Sequence, residues 1–286
     1  MKPAPFAYHR PLSLAETFEL LDRYGDDGRL LAGGQSLVPA LNMRLATPRA
    51  VIDINRLPGL DGIRVTPRGL VIGALARHET VERSALVREH APLLAAAMPH
   101  VGHAAIRTRG TVGGSLALAD PAAELPACVV ALEATIRMQS RRGEREVAAA
   151  DFFRGVYTTA LEPGEVVTEI AVPRTVPGWC AGFDELTRRH GDFALAGLAA
   201  HVRVEAGAVR DSRLVFFGVG TGPVRARGAE TALMGRRPDG DALAEARSAL
   251  AAELDPPGDV HGSPALRRHL SGVLLARVVT GLVGGA

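Results

Sequence analysis

Lysine is nearly missing from this sequence, and its scarcity excludes two kinds of active site. Lys2 is the only lysine in the 286 residues, although arginine is plentiful. Neither the lysine of a phosphate-binding P-loop nor a lysine that forms a Schiff base therefore has a candidate beyond the extreme N-terminus. The formal net charge is only +2, and the arginine pairs are scattered along the chain. A basic face that binds nucleic acid is therefore not expected.

Cysteine is scarce as well. Cys128 and Cys180 are the only two cysteines, and they stand far apart in the sequence. They give neither a disulfide framework nor the spacing of metal ligands, which fits a reducing compartment. Two thiols cannot supply the four ligands of an iron–sulfur cluster, so no metal site is expected in this chain.

Long uninterrupted apolar runs are missing at both ends of the chain. The N-terminal segment MKPAPFAYHRPLSL lacks the apolar core of a signal peptide, and basic residues such as Arg267 and Arg277 interrupt the C-terminal apolar run. We therefore expect a cytoplasmic protein without membrane insertion. The length and the 47% hydrophobic content are sufficient for the cores of more than one domain.

Glycine, in contrast, occurs in two conspicuous pairs. Gly33-Gly34 stands in LLAGGQSL and Gly113-Gly114 stands in RGTVGGSLAL, each before a helix-like run. Backbone amides that are free of side chains and open onto a helix N-terminus suit an anion such as pyrophosphate. Each pair alone could instead form a structural turn. Two loops with similar downstream residues favour the binding interpretation.

Three hydroxyl side chains accompany these loops, namely Ser36, Thr111 and Ser115. Without lysine, backbone amides and helix dipoles would have to balance the phosphate charge, which favours a bound dinucleotide over a transferred phosphate. A third glycine-rich stretch, FFGVGTGPVRA, has Pro223 where a Rossmann fingerprint needs glycine. It is predicted to be a turn between a strand and a helix.

Three further side chains are candidates for ligand contacts. Asp120 before Pro121 is typical of a helix cap followed by proline at the first helical position. Glu124 would face back toward the second glycine pair and accept hydrogen bonds from ligand hydroxyls, although a solvated glutamate is an equal alternative. Phe193 follows a turn signal and begins a strand, where it either joins the core or stacks on a planar ring.

The hydrophobic pattern predicts an α+β protein in three parts. Residues 1–55 form a small α/β unit with a helix at SLAETFELLDRYG, a strand ending at LLAG, a helix after Ser36 and a strand at AVIDI. Residues 56–175 carry strand-like runs, a helical stretch and a hairpin at RRGER. The segment VPRTVPG predicts a linker. Residues 176–286 are predicted to form a three-stranded antiparallel sheet covered by helices.

Three segments together resemble the flavin-binding medium subunit of the molybdenum hydroxylases, the family of carbon monoxide and xanthine dehydrogenases. They are AGGQSLVPALNMRLATPRAVIDIN, IRTRGTVGGSLALADPAAELPA and RRHGDFALAG, in order and at suitable separations. The resemblance implies a two-subdomain FAD-binding domain of the vanillyl-alcohol oxidase and p-cresol methylhydroxylase (PCMH) type. It departs from the family at Ser115, where asparagine is frequent, and at Leu118, where histidine is frequent.

The resemblance also implies a role for particular residues. It assigns the pyrophosphate to two loops, Ala32, Gly33, Gly34, Gln35 and Ser36, and Thr111, Val112, Gly113, Gly114 and Ser115. Leu37, Ile106 and Ala117 would line the cofactor, and Asp120 is included among the cofactor-binding residues. Glu124 would meet the ribityl or ribose hydroxyls, and Phe193 would lie near the isoalloxazine ring.

By the same resemblance, the chain would be the electron-transfer subunit of a larger enzyme. Electrons would come from a two-iron two-sulfur small subunit, fed by a molybdopterin large subunit, and would leave to an external acceptor such as NAD, a quinone or oxygen. The complex would be a dimer of heterotrimers, that is, a heterohexamer. The alternatives are a stand-alone flavoprotein reductase of the same fold and a non-catalytic assembly protein without cofactor.

Overall fold

The computed structural model describes residues 2–284 and begins with a small α/β unit. Its elements are β1 (Ala7–His9), α1 (Leu14–Tyr24), β2 (Gly28–Leu31), α2 (Leu37–Asn42) and β3 (Ala50–Asp53). The three strands form a parallel sheet in the order β1-β3-β2, with the central strand buried along its whole length. Both helices and both strands predicted for this part of the chain are present.

The second unit is built on an antiparallel sheet and a layer of short helices. Its elements are β4 (Ile63–Thr66), β5 (Gly69–Gly73), α3 (His78–Arg83), α4 (Ala85–His90), α5 (Pro92–Ala97), α6 (Ala104–Arg107), α7 (Val112–Leu118), α8 (Glu124–Ala131), β6 (Thr135–Ser140), β7 (Gly143–Ala148), α9 (Ala149–Phe152), β8 (Phe153–Gly155), β9 (Thr158–Thr159) and β10 (Val166–Pro173). Five strands pair in the order β4-β5-β10-β6-β7, and β8 pairs with β9. The predicted hairpin joins β6 to β7.

The C-terminal unit contains an antiparallel sheet and three helices. Its elements are β11 (Trp179–Thr187), β12 (Ala194–Glu205), β13 (Ala208–Phe217), β14 (Val224–Arg225), α10 (Arg227–Leu233), α11 (Gly240–Glu253) and α12 (Pro264–Gly284). The sheet has four strands in the order β11-β12-β13-β14, so the prediction of three strands is wrong. The fourth strand is only two residues long, too short to show an alternating pattern. The segment FFGVGTGPVRA accordingly leads into a strand before α10 begins.

Both faces of this sheet are buried, and this joins the C-terminal unit to the second one. Leu198 and Ala200 point into a core shared with α10, α11 and α12. Ala199 and Phe217 point the other way, into the core of the second unit. Side chains alternate between the faces of a strand, so one strand serves two cores. Among residues 2–284, no helix has the length and apolarity required to cross a membrane.

The turn at Asp120 differs from the sequence prediction. The helix that follows it, α8, begins at Glu124 and has Ala123 at its N-cap, so Asp120 is not a helix cap. Its Oδ1 accepts a hydrogen bond of 2.9 Å from the amide of Ala122 instead. Aspartate forms such turns readily because its short side chain reaches the amide two residues ahead.

Candidate cofactor site

The two glycine pairs, distant in sequence, lie side by side in the structure. A Cβ added at Gly33 would stand 2.5 Å from the carbonyl oxygen of Arg109 and 2.8 Å from Cα of Gly110. A Cβ at Gly114 would lie 3.9 Å from Cβ of Ala32. Gly33 is therefore glycine because another stretch of backbone passes against it, and not because of a positive φ, which occurs next to it at Gly34.

The first glycine loop, residues 32–36, presents a row of free amides. Within residues 2–284, no protein atom accepts a hydrogen bond from the amides of Gly33, Gly34, Gln35 or Ser36. Gly34 has a φ of +75°, which turns the backbone immediately before α2. Successive unpaired amides around a left-handed residue form a concave anion-binding nest. This loop therefore has the donors that a pyrophosphate requires.

The second glycine loop, residues 111–115, is the N-cap and first turn of α7, and it has already committed most of its amides to protein acceptors. The amides of Val112 and Gly113 donate to the carbonyl groups of Ala76 and Ala74 at 3.1 and 2.8 Å. The amide of Gly114 donates to Oγ1 of Thr111, the N-cap of α7, at 3.2 Å. The two loops are consequently not equivalent. The first offers unpaired amides, while the backbone just before the second, at Arg109 and Gly110, packs against the first loop.

Asn55 and Arg77 connect the first glycine loop to the backbone at Arg109, two residues before the second loop, and neither residue was a candidate from the sequence. The Asn55 side-chain amide donates to the carbonyl oxygen of Ala32 at 2.8 Å, and its own oxygen accepts from Arg77 Nη2 at 2.6 Å. The Arg77 Nη1 donates to the carbonyl oxygen of Arg109. The only available signal was the polar residue at the end of the buried run AVIDIN. Arg77 also places a cation beside the loops of a chain with one lysine.

Glu124 is held in an environment that disfavours its charge. Burial and then the negative charge of Glu185 raise the pKa of Glu124 to about 7, while His100 opposes the shift. His100 Nδ1 lies 3.4 Å from Oε1 of Glu185, which raises the pKa of this histidine. Glu124 is therefore partly neutral at neutral pH and can donate as well as accept a hydrogen bond. His100 and Glu185 lie in different units and far apart in the sequence, so no local pattern pairs them.

A cavity of about 620 Å³ opens between the second and the C-terminal units. Asp120 lines it from the second unit, and Phe193 lines it from the C-terminal unit. Phe193 precedes β12 rather than beginning it, and 68% of its surface is exposed. An exposed ring at a cavity between units is typical of a ligand site.

The remaining candidates occupy the helices around the loops. Leu37 begins α2 and is partly buried, Ile106 lies on α6 with 37% of its surface exposed, and Ala117 is exposed on α7. Ser115 lies on α7 one residue after the second glycine pair. All of these are therefore on the elements that carry or flank the two loops.

Comparison with known proteins identifies the family. A family model described as the FAD binding domain in molybdopterin dehydrogenase matches residues 4–175, and one described as the CO dehydrogenase flavoprotein C-terminal domain matches residues 181–282. The chain belongs to the FAD-binding medium subunits of the molybdenum hydroxylases. Its cofactor is FAD, and it is a flavoprotein oxidoreductase subunit, as the resemblance implied.

Individual members of this family are similar to the chain over nearly its whole length. The alpha subunit of the 6-hydroxypseudooxynicotine dehydrogenase complex of Paenarthrobacter nicotinovorans is 39% identical, over 98% of this chain and 95% of that protein. Carbon monoxide dehydrogenase of Hydrogenophaga pseudoflava, solved without the Mo-pyranopterin moiety of its cofactor, superposes with a TM-score of 0.96 at 37% identity, covering 99% of both chains. Quinoline 2-oxidoreductase of Pseudomonas putida 86 superposes with a TM-score of 0.95 at 36% sequence identity, and the match covers 100% of this chain and 99% of that one. The mixed helix and sheet fold is that of the carbon monoxide dehydrogenase medium chain.

Proposed function

We propose that this medium subunit relays electrons from a two-iron two-sulfur small subunit to an external acceptor, in a complex whose molybdopterin large subunit oxidises the substrate. When bound, the flavin supplies the redox chemistry, and the protein contributes binding, orientation and electrostatics. The three similar proteins differ in the substrates that their names state, 6-hydroxypseudooxynicotine, carbon monoxide and quinoline. A subunit that only relays electrons does not contact the substrate, so one fold can serve in all three proteins although their substrates differ.

The observation that carries the binding mode is the row of free amides in the first glycine loop. We propose that the amides of Gly33, Gly34, Gln35 and Ser36 hold the pyrophosphate, because no protein acceptor uses them within residues 2–284. The hydroxyls of Ser36 and Ser115 complete this site together with the amide of Thr111, which donates to no protein acceptor in the described residues 2–284. The other amides of the second loop stay with their protein acceptors.

The rest of the proposed cofactor path follows the candidate residues outward from the loops. Leu37, Ile106 and Ala117 supply apolar surface, and the amides of Val112 and Gly113 fix the start of α7 against Ala76 and Ala74. Glu124 bonds a hydroxyl of the cofactor, with a pKa near 7 that permits it to donate or accept. Asp120 and Phe193 lie at the cavity, which we assign to the isoalloxazine end.

Two alternatives are weaker. An assembly protein that had lost the cofactor would not need four unpaired amides in the first glycine loop. It would also not need the close backbone contact at Gly33, which only glycine permits. A stand-alone reductase would need its own proton donor for a substrate, and the C-terminal sequence offers no serine or glutamate constellation for one.

Purification of the chain alone and with its partners tests the proposed function. The isolated chain should bind FAD stoichiometrically and be yellow, yet it should not oxidise any hydroxylase substrate. Co-expression with an iron–sulfur and a molybdenum subunit should give a stable complex with substrate-dependent reduction of an acceptor. Turnover by the single chain would support the stand-alone reductase, and a chain that stays colourless after incubation with FAD would support the assembly protein.

A further inference from the structure

Tyr157 occupies the cavity wall in an unusual conformation. It stands in the turn between β8 and β9 with a φ of +50°, in the left-handed region. This region is unfavourable for any residue with a side chain, because Cβ comes too close to the following carbonyl oxygen. In spite of this cost, 59% of the tyrosine surface is exposed. The turn therefore leaves more than half of a large ring exposed at the cavity.

A hydrogen bond fixes the ring of Tyr157 at this place. Its hydroxyl donates to Oδ2 of Asp120 at 3.2 Å, while Oδ1 of the same carboxylate accepts from the amide of Ala122. Burial and the negative charge of Asp120 raise the pKa of Tyr157, so the phenol remains a donor at neutral pH. Val156, its neighbour, is exposed and lines the same cavity. Together with Phe193, these side chains give the cavity two aromatic rings and an aliphatic group.

The cavity lies at a suitable distance from the glycine loops. Helix α7 runs from the second glycine loop to Leu118, and Asp120 follows two residues beyond its end. At 1.5 Å per residue, the four residues from Gly114 to Leu118 cover about 6 Å. The five-carbon ribityl chain of a flavin covers a similar distance. A ligand with its pyrophosphate on the loops can therefore reach the cavity with its ring system.

We propose that Tyr157 is a wall of the isoalloxazine site and contacts the flavin ring, held in place by Asp120. This inference rests on the proposed function, because it needs FAD in the site. An electron-rich phenol in contact with a flavin quenches its emission, since the excited flavin takes an electron from the phenol and returns it. No net chemistry results, so emission is a readout that does not depend on turnover.

The composition of the chain makes this readout specific. The sequence has three tyrosines and one tryptophan, and of these only Tyr157 lines the cavity. Trp179 begins the nine-residue β11, while the segment with Phe193 follows the other end of that strand. At about 3.3 Å per residue, the strand separates them by roughly 26 Å. Substitution of Tyr157 therefore removes the only strong quencher at the cavity.

The experiment compares flavin emission per bound FAD in the isolated subunit and three variants. Tyr157→Phe should increase the emission several-fold, because phenylalanine does not give up an electron. Tyr157→Trp should remain as dark as the wild type, since indole is also a quencher. Tyr24→Phe is the matched control, because this hydroxyl bonds His9 in the N-terminal unit, and it should change nothing.

Two results would overturn the inference while leaving the proposed function intact. One is a Tyr157→Phe protein that binds FAD with wild-type emission. The other is a Tyr157→Trp protein as bright as Tyr157→Phe, which would mean that the site had merely loosened. Failure of the wild-type chain to bind FAD would instead contradict the proposed function itself.

Discussion

Replacement of Gly33 by alanine directly tests the contact between the first glycine loop and the backbone at Arg109 and Gly110, just before the second loop. The new methyl carbon would lie 2.5 Å from the carbonyl oxygen of Arg109, whereas ordinary contacts begin at 3.4 Å. The two segments must therefore separate by about 0.9 Å, and both are backbone that cannot rotate away. Overpacking of this kind costs about 1 to 3 kcal/mol. If cofactor binding needs the closed arrangement, FAD affinity should fall by about 5- to 150-fold.

The assay is titration of the FAD-free subunit with FAD, followed by flavin fluorescence, with circular dichroism to show that the variant is folded. Gly62→Ala is the matched control, because nothing lies within 4 Å of its added carbon and its φ is not positive. Gly114→Ala should fall between the two, since its closest neighbour is the Thr111 hydroxyl at 2.7 Å, a side-chain atom that can move. A folded Gly33→Ala subunit with the affinity of Gly62→Ala would refute the role of the loop contact.

Three further predictions concern polar side chains around the site. Glu124→Gln should stabilise the FAD-free subunit in thermal unfolding by up to about 3 kcal/mol at pH 8 but not at pH 4. The raised pKa of Glu124 means that the wild type loses stability as the pH rises from the ordinary carboxyl pKa toward 7, and glutamine does not titrate. An equal effect at both pH values would contradict the pKa shift. Glu185→Gln should lower the pKa of His100 in an NMR titration, since the Glu185 carboxylate raises it now, and an unchanged titration would contradict the pair. Asn55→Ala should cost about 1 to 3 kcal/mol of stability and weaken FAD binding, because the Ala32 carbonyl and Arg77 each lose a hydrogen-bond partner. Wild-type FAD affinity in this variant would show that the Asn55 hydrogen bonds do not position the first glycine loop.

Several parts of the structure follow from short stretches of sequence. The helix at Leu14–Tyr24 has Ser13 as its cap, and the strand at Ala50–Asp53 is an apolar run. These features depend on neighbours within a few residues, so local patterns predict them. The glycine pairs indicate an anion site by local sequence alone, without the family resemblance. The family motifs then gave the cofactor, which the comparisons confirm.

Errors occurred where a local pattern had two possible outcomes. Asp120 before Pro121 fits a helix cap, but the same side chain can close a turn on Ala122, and α8 starts later. Strand β14 is too short for an alternating pattern and exists only because β13 lies beside it. In both cases the neighbouring chain, and not the local propensity, decided the result.

The sequence by itself determined the glycine loops, most of the helices and strands, and the FAD-binding family. Only the tertiary structure decided which loop keeps its amides free, because the carbonyl groups of Ala74 and Ala76 that occupy the second loop lie more than thirty residues before it in the chain. The same holds for Asn55 with Arg77, for Glu124 with Glu185, and for Tyr157 at the cavity. Hydrogen bonding and burial depend on which distant segments meet when the chain folds, and the periodicity of a single segment carries no information about that meeting.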